Sequence, residues 1–477
     1  MYIDLSSPKT SNKANSITQS TIPIINKPNI LTGPSVIGKK KGRKVYIETY
    51  GCQMNVADSE IVSSIMMSEG FDITDTADNA DVILLNTCSI RDNAEKKIFN
   101  RLSHLRRYKK KKFKLVVGIM GCMAERLKSQ LIGERDLVSI VVGPDEYRNL
   151  PELVNNAIGG EQGIAVKLSK VETYDDIIPL RTEGLSAWVS IMRGCNNFCA
   201  FCVVPYTRGR ERSRPLDSVV REAVSLYENG IKEITLLGQN VNSYRDDANG
   251  LDFPDLLISI AKEVPDLRIR YSTSHPHDMS DRLIEAHRDY KAICNYIHLP
   301  VQAGSNRILK KMRRDYSREH YLERIEMIRK YVPGVALSTD IIAGFCSETE
   351  EDHQDTLSLM REVQYDGAYM FKYSPRENTL AWKFEDDVTE ETKARRLQEI
   401  IDQQHLIAGE LNKLEVGRTH EVLVEGEGKR KNTGWQGRSD TNKVCIFPYK
   451  EGMKAGDLIN IKIHSSTSAT LFGDIVE

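Results

Sequence analysis

The chain has 477 residues, with 66 basic and 67 acidic side chains and a formal net charge of -1. That balance excludes a globally basic nucleic-acid binder, so any RNA-facing surface must be local. No apolar run reaches the length of about 18 residues that a membrane helix needs, and a chain this long has room for about three domains.

Residues 1–43 are rich in Ser, Asn, Thr, Lys, Ile and Pro, and Pro23, Pro28 and Pro34 break up the apolar pieces. This stretch reads as a disordered leader rather than a signal peptide. An enzyme-sized chain without such a peptide points to the reducing cytoplasm. Of nine cysteines, Cys294, Cys346 and Cys445 stand outside any motif and read as buried thiols.

From Lys44 onward, apolar strands alternate with amphipathic helices, giving an α/β domain over 44–160. Strands are predicted at 45–50, 81–86, 115–120 and 138–142, and helices at 57–69, 93–108 and 150–157. Strand–helix alternation implies a parallel sheet, whose strands all present their carboxyl ends at one edge, where such sheets place ligands. Cys52, Cys88 and Cys122 each follow a predicted strand, so residues 36 and 34 positions apart can converge at that edge. They read as a three-thiolate metal site, with three unrelated buried thiols as the plain alternative. Residues 101–114 hold eight Lys or Arg side chains, either a solvated helix face or a phosphate-facing one.

The next domain, 181–413, carries the clearest motif. Cys195-Asn196-Asn197-Phe198-Cys199-Ala200-Phe201-Cys202 has C-x3-C-x2-C spacing and follows an apolar run ending in Arg193-Gly194. A structural zinc site wants four protein ligands; here there are three, with no nearby His and no fourth Cys at zinc-pair spacing. Three ligands suit a [4Fe-4S] cluster with one iron left open for a substrate or cofactor. Strands at 188–192, 234–237, 268–272, 296–301, 335–341 and 368–373 alternate with helices at 217–228, 255–263, 281–288, 318–331 and 351–364. Six β/α units imply an incomplete parallel (β/α)6 barrel with function at the carboxyl ends of its strands. Gln239, Asn240, Ser272, Gln302 and Asp340 fall at those ends; each taken singly could be a rim hydrogen bond.

The loop motif resembles the signature of the radical S-adenosylmethionine (SAM) superfamily. The ordered set Gly51-Cys52-Gln53-Met54-Asn55, Asn86-Thr87-Cys88 and Gly121-Cys122 before it resembles the methylthiotransferase family. Within that family, the segments beginning at Cys202 (Val-Val-Pro-Tyr-Thr-Arg-Gly follows), Leu236 (Leu-Gly-Gln-Asn-Val-Asn) and Thr273 (Ser-His-Pro) are similar to the tRNA 2-methylthio-N6-dimethylallyladenosine synthases. The resemblance implies two [4Fe-4S] clusters, on Cys195, Cys199 and Cys202 and on Cys52, Cys88 and Cys122. It implies SAM as co-substrate, used twice, once to methylate a sulfur and once to supply a 5′-deoxyadenosyl radical. Phe201, Gln239 and Asn240, with Ser272 and Asp340, are the implied SAM contacts. The implied reaction is methylthiolation at carbon 2 of an isopentenylated adenosine just 3′ of the anticodon. The implied partners are a tRNA anticodon stem-loop and an electron donor such as a flavodoxin, with no membrane and a monomeric chain. A methylthiotransferase acting on threonylcarbamoyladenosine or on a ribosomal-protein aspartate keeps both cysteine sets and is the nearest alternative. A non-catalytic RNA-binding protein with structural metal is the alternative of another class. One departure is Gly344-Phe345-Cys346-Ser347-Glu348-Thr349, where the family has Gly-Phe-Pro-Gly-Glu-Thr.

Residues 414–477 change to short strands punctuated by Gly, which reads as a small antiparallel barrel. The pattern resembles the TRAM RNA-binding module, which implies phosphate contacts from Lys429, Arg430, Lys431, Arg438 and Lys443. Arg208, Arg210, Arg212 and Arg214 alternate just after the radical motif. In an extended loop they would face one way and suit RNA; ion pairing with acidic side chains is the alternative.

Overall fold

The computed structural model describes residues 42–476 apart from 90–91, 113, 135–136, 182–183 and 429–433. The expected leader up to residue 41 and the cations Lys429, Arg430 and Lys431 lie outside the described residues.

The first domain is a parallel sheet in the order Asp72–Ile73, Lys44–Thr49, Val82–Thr87, Val116–Gly121, Val138–Val142, Gly163–Ala165. Val82–Thr87 and Val116–Gly121 are buried at every position. They are central strands covered on both faces, which explains their unbroken apolar runs. One face packs under Ile98, Leu102, Leu105 and Met123, the other under Ile61, Val62, Met66 and Val154. The first helix, Gln53–Ser68, begins before the predicted 57–69. Its first turn closes on Cys52, whose carbonyl accepts from the backbone N–H of Asn55 at 3.0 Å and of Val56 at 3.4 Å. Apolar periodicity marks the buried stripe of a helix, whereas the cap sets where it starts.

The middle domain is the expected incomplete barrel. Arg268–Ser272, Glu233–Leu237 and Ser186–Ser190 form one parallel set; Tyr296–His298, Ala336–Ala343 and Gly367–Lys372 form another. A parallel bridge between Ile269 and Ile293 joins them. The fourth strand stops at His298 rather than at 301, because Pro300 has no N–H to give to a ladder. Pairing resumes as a single bridge from Gln302, at φ 69°, to Ile341.

The last five strands close a barrel in the order Thr419–Glu427, Trp435–Ser439, Val444–Phe447, Leu471–Val476, Leu458–Ser466. The pairing of Val444–Phe447 with Leu471–Val476 is parallel, a departure from the antiparallel barrel expected. This barrel docks at the amino-terminal edge of the middle domain's strands. Arg268 donates to the carbonyls of Arg438 and Glu421, and Arg270 to those of Ser439 and Asp440. The cysteine loop lies beyond the opposite, carboxyl edge of the same strands. Cys294, Cys346 and Cys445 are buried thiols, as expected. Among the described residues, no helix is long and apolar enough to cross a membrane.

Candidate active site

The loop trio is shaped by its own backbone. Phe198 takes φ 46° at the tip, the Asn197 N–H donates to Cys195 Sγ at 3.5 Å, and the Cys202 N–H donates to the Cys199 carbonyl at 3.0 Å. Arg314 donates through Nη1 to Cys199 Sγ at 3.3 Å, through Nη2 to the Pro300 carbonyl at 3.0 Å and through Nε to Tyr316 Oη at 2.9 Å. Burial pushes the Cys195 thiol up to about 11 and raises Cys202 further. A cation binding them would have to take their protons.

The second trio assembles at the sheet edge. Cys52 caps the helix Gln53–Ser68, Cys88 follows the strand Val82–Thr87, and Cys122 follows Val116–Gly121. Gly51, at φ 118°, lets the chain pass close to Cys88: a Cβ added there would lie 3.3 Å from Cys88 Sγ and 2.4 Å from its Cβ. A hydrogen bond from Cys88 draws the Cys52 thiol down to about 6 against the opposing effect of burial, with Arg208 and the Asn55 backbone assisting. Burial raises the Cys122 thiol, with Arg208 pulling the other way. Met54, Ala57 and Cys52 pack against Leu237 and Trp188 of the middle domain, so this edge sits on the barrel mouth.

A buried charge group links the trios. Asp58, fully buried on the helix after Cys52, pairs with Arg193, two residues before Cys195, and at 2.7 Å with Arg208, six residues after Cys202. Arg208 also donates through Nε to Cys122 Sγ at 3.2 Å and through Nη2 to Asn55 Oδ1 at 3.1 Å. Burial alone would raise the Asp58 carboxyl, but the two guanidiniums outweigh it and hold it below the usual carboxylate range.

This geometry corrects the expectation of an RNA-facing arginine row. Arg208, Arg212 and Arg214 are buried on carboxylates, Arg212 on Asp145 at 2.8 Å and Arg214 on Glu222 at 2.6 Å; only Arg210 is exposed, its guanidinium over the Phe198 ring. The segment is not one extended strand. Val204–Thr207 is helical and Arg212–Ser213 pairs back with Met192–Arg193, so alternation does not put the four on one face. Lys443 is corrected likewise: its ammonium bonds Asp366 Oδ1 at 2.6 Å and Asn412 Oδ1 at 2.9 Å, in the seam between barrel and core. Arg438 pairs with Glu425 at 3.0 Å and remains partly exposed. Within 101–114, Arg101 pairs with Glu48, and Lys109 and Lys112 donate to backbone carbonyls. Exposed cations that sequence reasoning missed, Lys310 and Arg313, line a cavity of about 720 Å³ beside Asn197 and Phe198.

Three of the expected SAM contacts stand at the carboxyl ends of strands. Gln239 and Asn240 follow Glu233–Leu237 and Ser272 ends its strand, whereas Asp340 lies within Ala336–Ala343 rather than at its end, 3.4 Å from His298 Nε2. Phe201 packs on the barrel core and meets Phe345 edge-on. Gln239 Oε1 and Asn240 Oδ1 are buried acceptors with no partner among the described residues, while Asn240 Nδ2 donates to Asp278 at 2.7 Å. Unmet buried acceptors are costly in a finished site, and two of them suit an ammonium group. The donor set likewise suits iron–sulfur clusters: three thiols in each place, with one buried guanidinium on a sulfur of each to offset thiolate charge. Asp58, Arg193 and Arg314 were missed by sequence reasoning. Arg193 stood in the quoted Arg-Gly pair, but nothing local announces a partner in another domain.

Comparison with known proteins agrees with this arrangement. Residues 44–143 match "Uncharacterized protein family UPF0004", 189–360 the radical SAM superfamily and 413–476 the TRAM domain. A tRNA-2-methylthio-N(6)-dimethylallyladenosine synthase of Parabacteroides distasonis is 55% identical over 91% of this chain and 96% of its own length. The synthase of the same name from Chloroherpeton thalassium is 52% identical over 90% of this chain and 96% of its own. The chain belongs to this family of radical SAM methylthiotransferases. Among solved structures, the radical SAM methyltransferase TsrM of Kitasatospora setae shares the fold at a TM-score of 0.52 and 14% identity, covering 69% of this chain and 73% of its own. The three matches follow one another in the order of the domains described above.

Proposed function

We propose that this chain inserts a methylthio group at carbon 2 of N6-isopentenyladenosine, just 3′ of the anticodon of a tRNA, using two SAM and two [4Fe-4S] clusters. The names of the curated relatives support the substrate. The observation that carries the two-centre reading is the Arg208–Cys122 contact, which brings the chain just after the loop trio onto the sheet-edge trio.

Cys195, Cys199 and Cys202 hold one cluster, and Cys52, Cys88 and Cys122 hold the other. When bound, these groups supply reductive cleavage of SAM and the sulfur to be inserted. Gln239 and Asn240 offer their free carbonyl oxygens to SAM's ammonium; Phe201, Ser272 and Asp340 complete the pocket at the barrel mouth. Arg210, Lys310 and Arg313, exposed around the loop, are the cations placed to meet RNA phosphates there. Lys429, Arg430, Lys431 and Arg438 of the barrel remain candidates for the same role. The target base leaves its stack to enter, as base-modifying enzymes require. A cytoplasmic, monomeric chain served by a flavodoxin-like donor completes the reading.

Anaerobic reaction with three anticodon stem-loops tests it: isopentenylated, unmodified and threonylcarbamoylated. Only the first is expected to gain the mass of a methylthio group in place of hydrogen. Product on the threonylcarbamoylated RNA alone overturns the substrate assignment.

A further inference from the structure

Arg208 sits where the two trios meet, and its bonding is incomplete. Its Nε faces Cys122 Sγ at 3.2 Å, and its Nη2 is shared by Asn55 at 3.1 Å and Asp58 at 2.7 Å. Nη1 is buried and has no partner among the described residues, in a side chain only 3% exposed. Arg314, on the other trio, differs: Nε, Nη1 and Nη2 all have partners.

The charge count is also unbalanced. Asp58 faces both Arg193 and Arg208, so one carboxylate meets two guanidiniums and the group carries one positive charge net. Asp145, the next buried carboxylate, is paired with Arg212. A buried cation without compensation costs several kcal/mol, on the order of the penalty for a broken buried ion pair. Three thiolates holding an iron–sulfur cluster beside Arg208 would compensate it, since such a centre is anionic.

From this geometry we infer that Arg208 sets the reduction potential of the centre held by Cys52, Cys88 and Cys122, by donating to its sulfur and placing a fixed positive charge beside it. The inference rests on the two-cluster reading above. Hydrogen bonds to cluster sulfur and nearby positive charge both favour the reduced, more negative state. Asp58 and Asn55 act through Arg208: they fix the plane of its guanidinium so that Nε faces Cys122. A lysine could supply the charge but not the fork that engages Asp58 and Cys122 together.

The test uses the full chain carrying Cys195→Ala, Cys199→Ala and Cys202→Ala, reconstituted anaerobically and titrated by electron paramagnetic resonance. About four irons should remain; if none bind, the two-cluster reading fails before Arg208 is tested. With the irons present, Arg208→Gln is expected to move the midpoint to a more negative potential, and Arg208→Lys to restore part of the shift. In the chain with all six cysteines, Arg208→Gln should raise the ratio of 5′-deoxyadenosine to methylthiolated product several-fold. An unchanged midpoint in both variants with iron retained overturns the inference. Loss of iron from both also overturns it, because Arg208 would then be a scaffold for the site and not a regulator of its potential.

Discussion

Cys195, Cys199 and Cys202 lie on one loop, and that loop's own backbone bonds hold them; Cys52, Cys88 and Cys122 come from three strand ends separated by 36 and 34 residues and meet only when the parallel sheet has formed. The loop trio is therefore a local structure, stabilised by Arg314 from its own domain. The sheet-edge trio is a tertiary structure, and its guanidinium comes from the other domain. Two centres with the same donors thus have different dependences. Damage to the domain interface should reach the second trio first.

The largest expected effect comes from breaking that interface. Asp58→Asn leaves two buried guanidiniums facing no carboxylate and should cost about 3–5 kcal/mol, read as a fall in the melting temperature of the apoprotein. The control is Asp176→Asn. Asp176 pairs with Arg148 with 63% of its side chain exposed, and should cost about 0–1 kcal/mol. Equal losses would mean that the buried group does not hold the domains together.

Acid should separate the two regions next. Burial, with Arg314 and His277 adding to it, pushes His275 at the barrel mouth down to about 2, and burial pushes His287 down to about 4. Both stay neutral in the folded core, whereas the unfolded chain takes up protons below about pH 6.5. Their contribution is fully present above that pH and is lost as pH falls through it, at up to about 1.4 kcal/mol per pH unit for each histidine. The Asp58 group responds later, because its depressed carboxyl loses stability only below the ordinary carboxylate range. Hydrogen exchange from pH 7 to pH 5 should show the middle domain opening before the first, and His275→Asn should narrow the gap.

The smallest effect is expected at the turn that departs from the family. Ser347 adopts φ 60°, a left-handed backbone where the family has glycine, and its hydroxyl accepts from Lys311. Ser347→Gly removes strain of about 1 kcal/mol and forfeits that bond. The net change in denaturation midpoint should be slight, and both trios should keep their metal.

The contrast between the trios also explains what could be read from the residues. The strands of the first two domains were legible because central parallel strands are continuous apolar runs, and the loop motif because its spacing is local. The sheet-edge cysteines were legible one step later, through the rule that parallel strands share a carboxyl edge. The arginines were not. Alternation at 208, 210, 212 and 214 looks like one face only if the backbone is extended, and a helix end and a two-residue strand interrupt it. Lys443 looked like a surface cation until its turn proved to be docked against Asp366. Asp58 looked like any polar residue on a helix; its two arginine partners lie 135 and 150 residues away, and no local signal reports a contact at that range.

The most direct measurement compares Cys88→Ala with Cys199→Ala in anaerobically reconstituted full-length chain, scoring 5′-deoxyadenosine and methylthiolated RNA together. The account predicts that Cys199→Ala forms neither, while Cys88→Ala still cleaves SAM and makes no methylthiolated RNA. Methylthiolated product from the Cys88→Ala chain would contradict it.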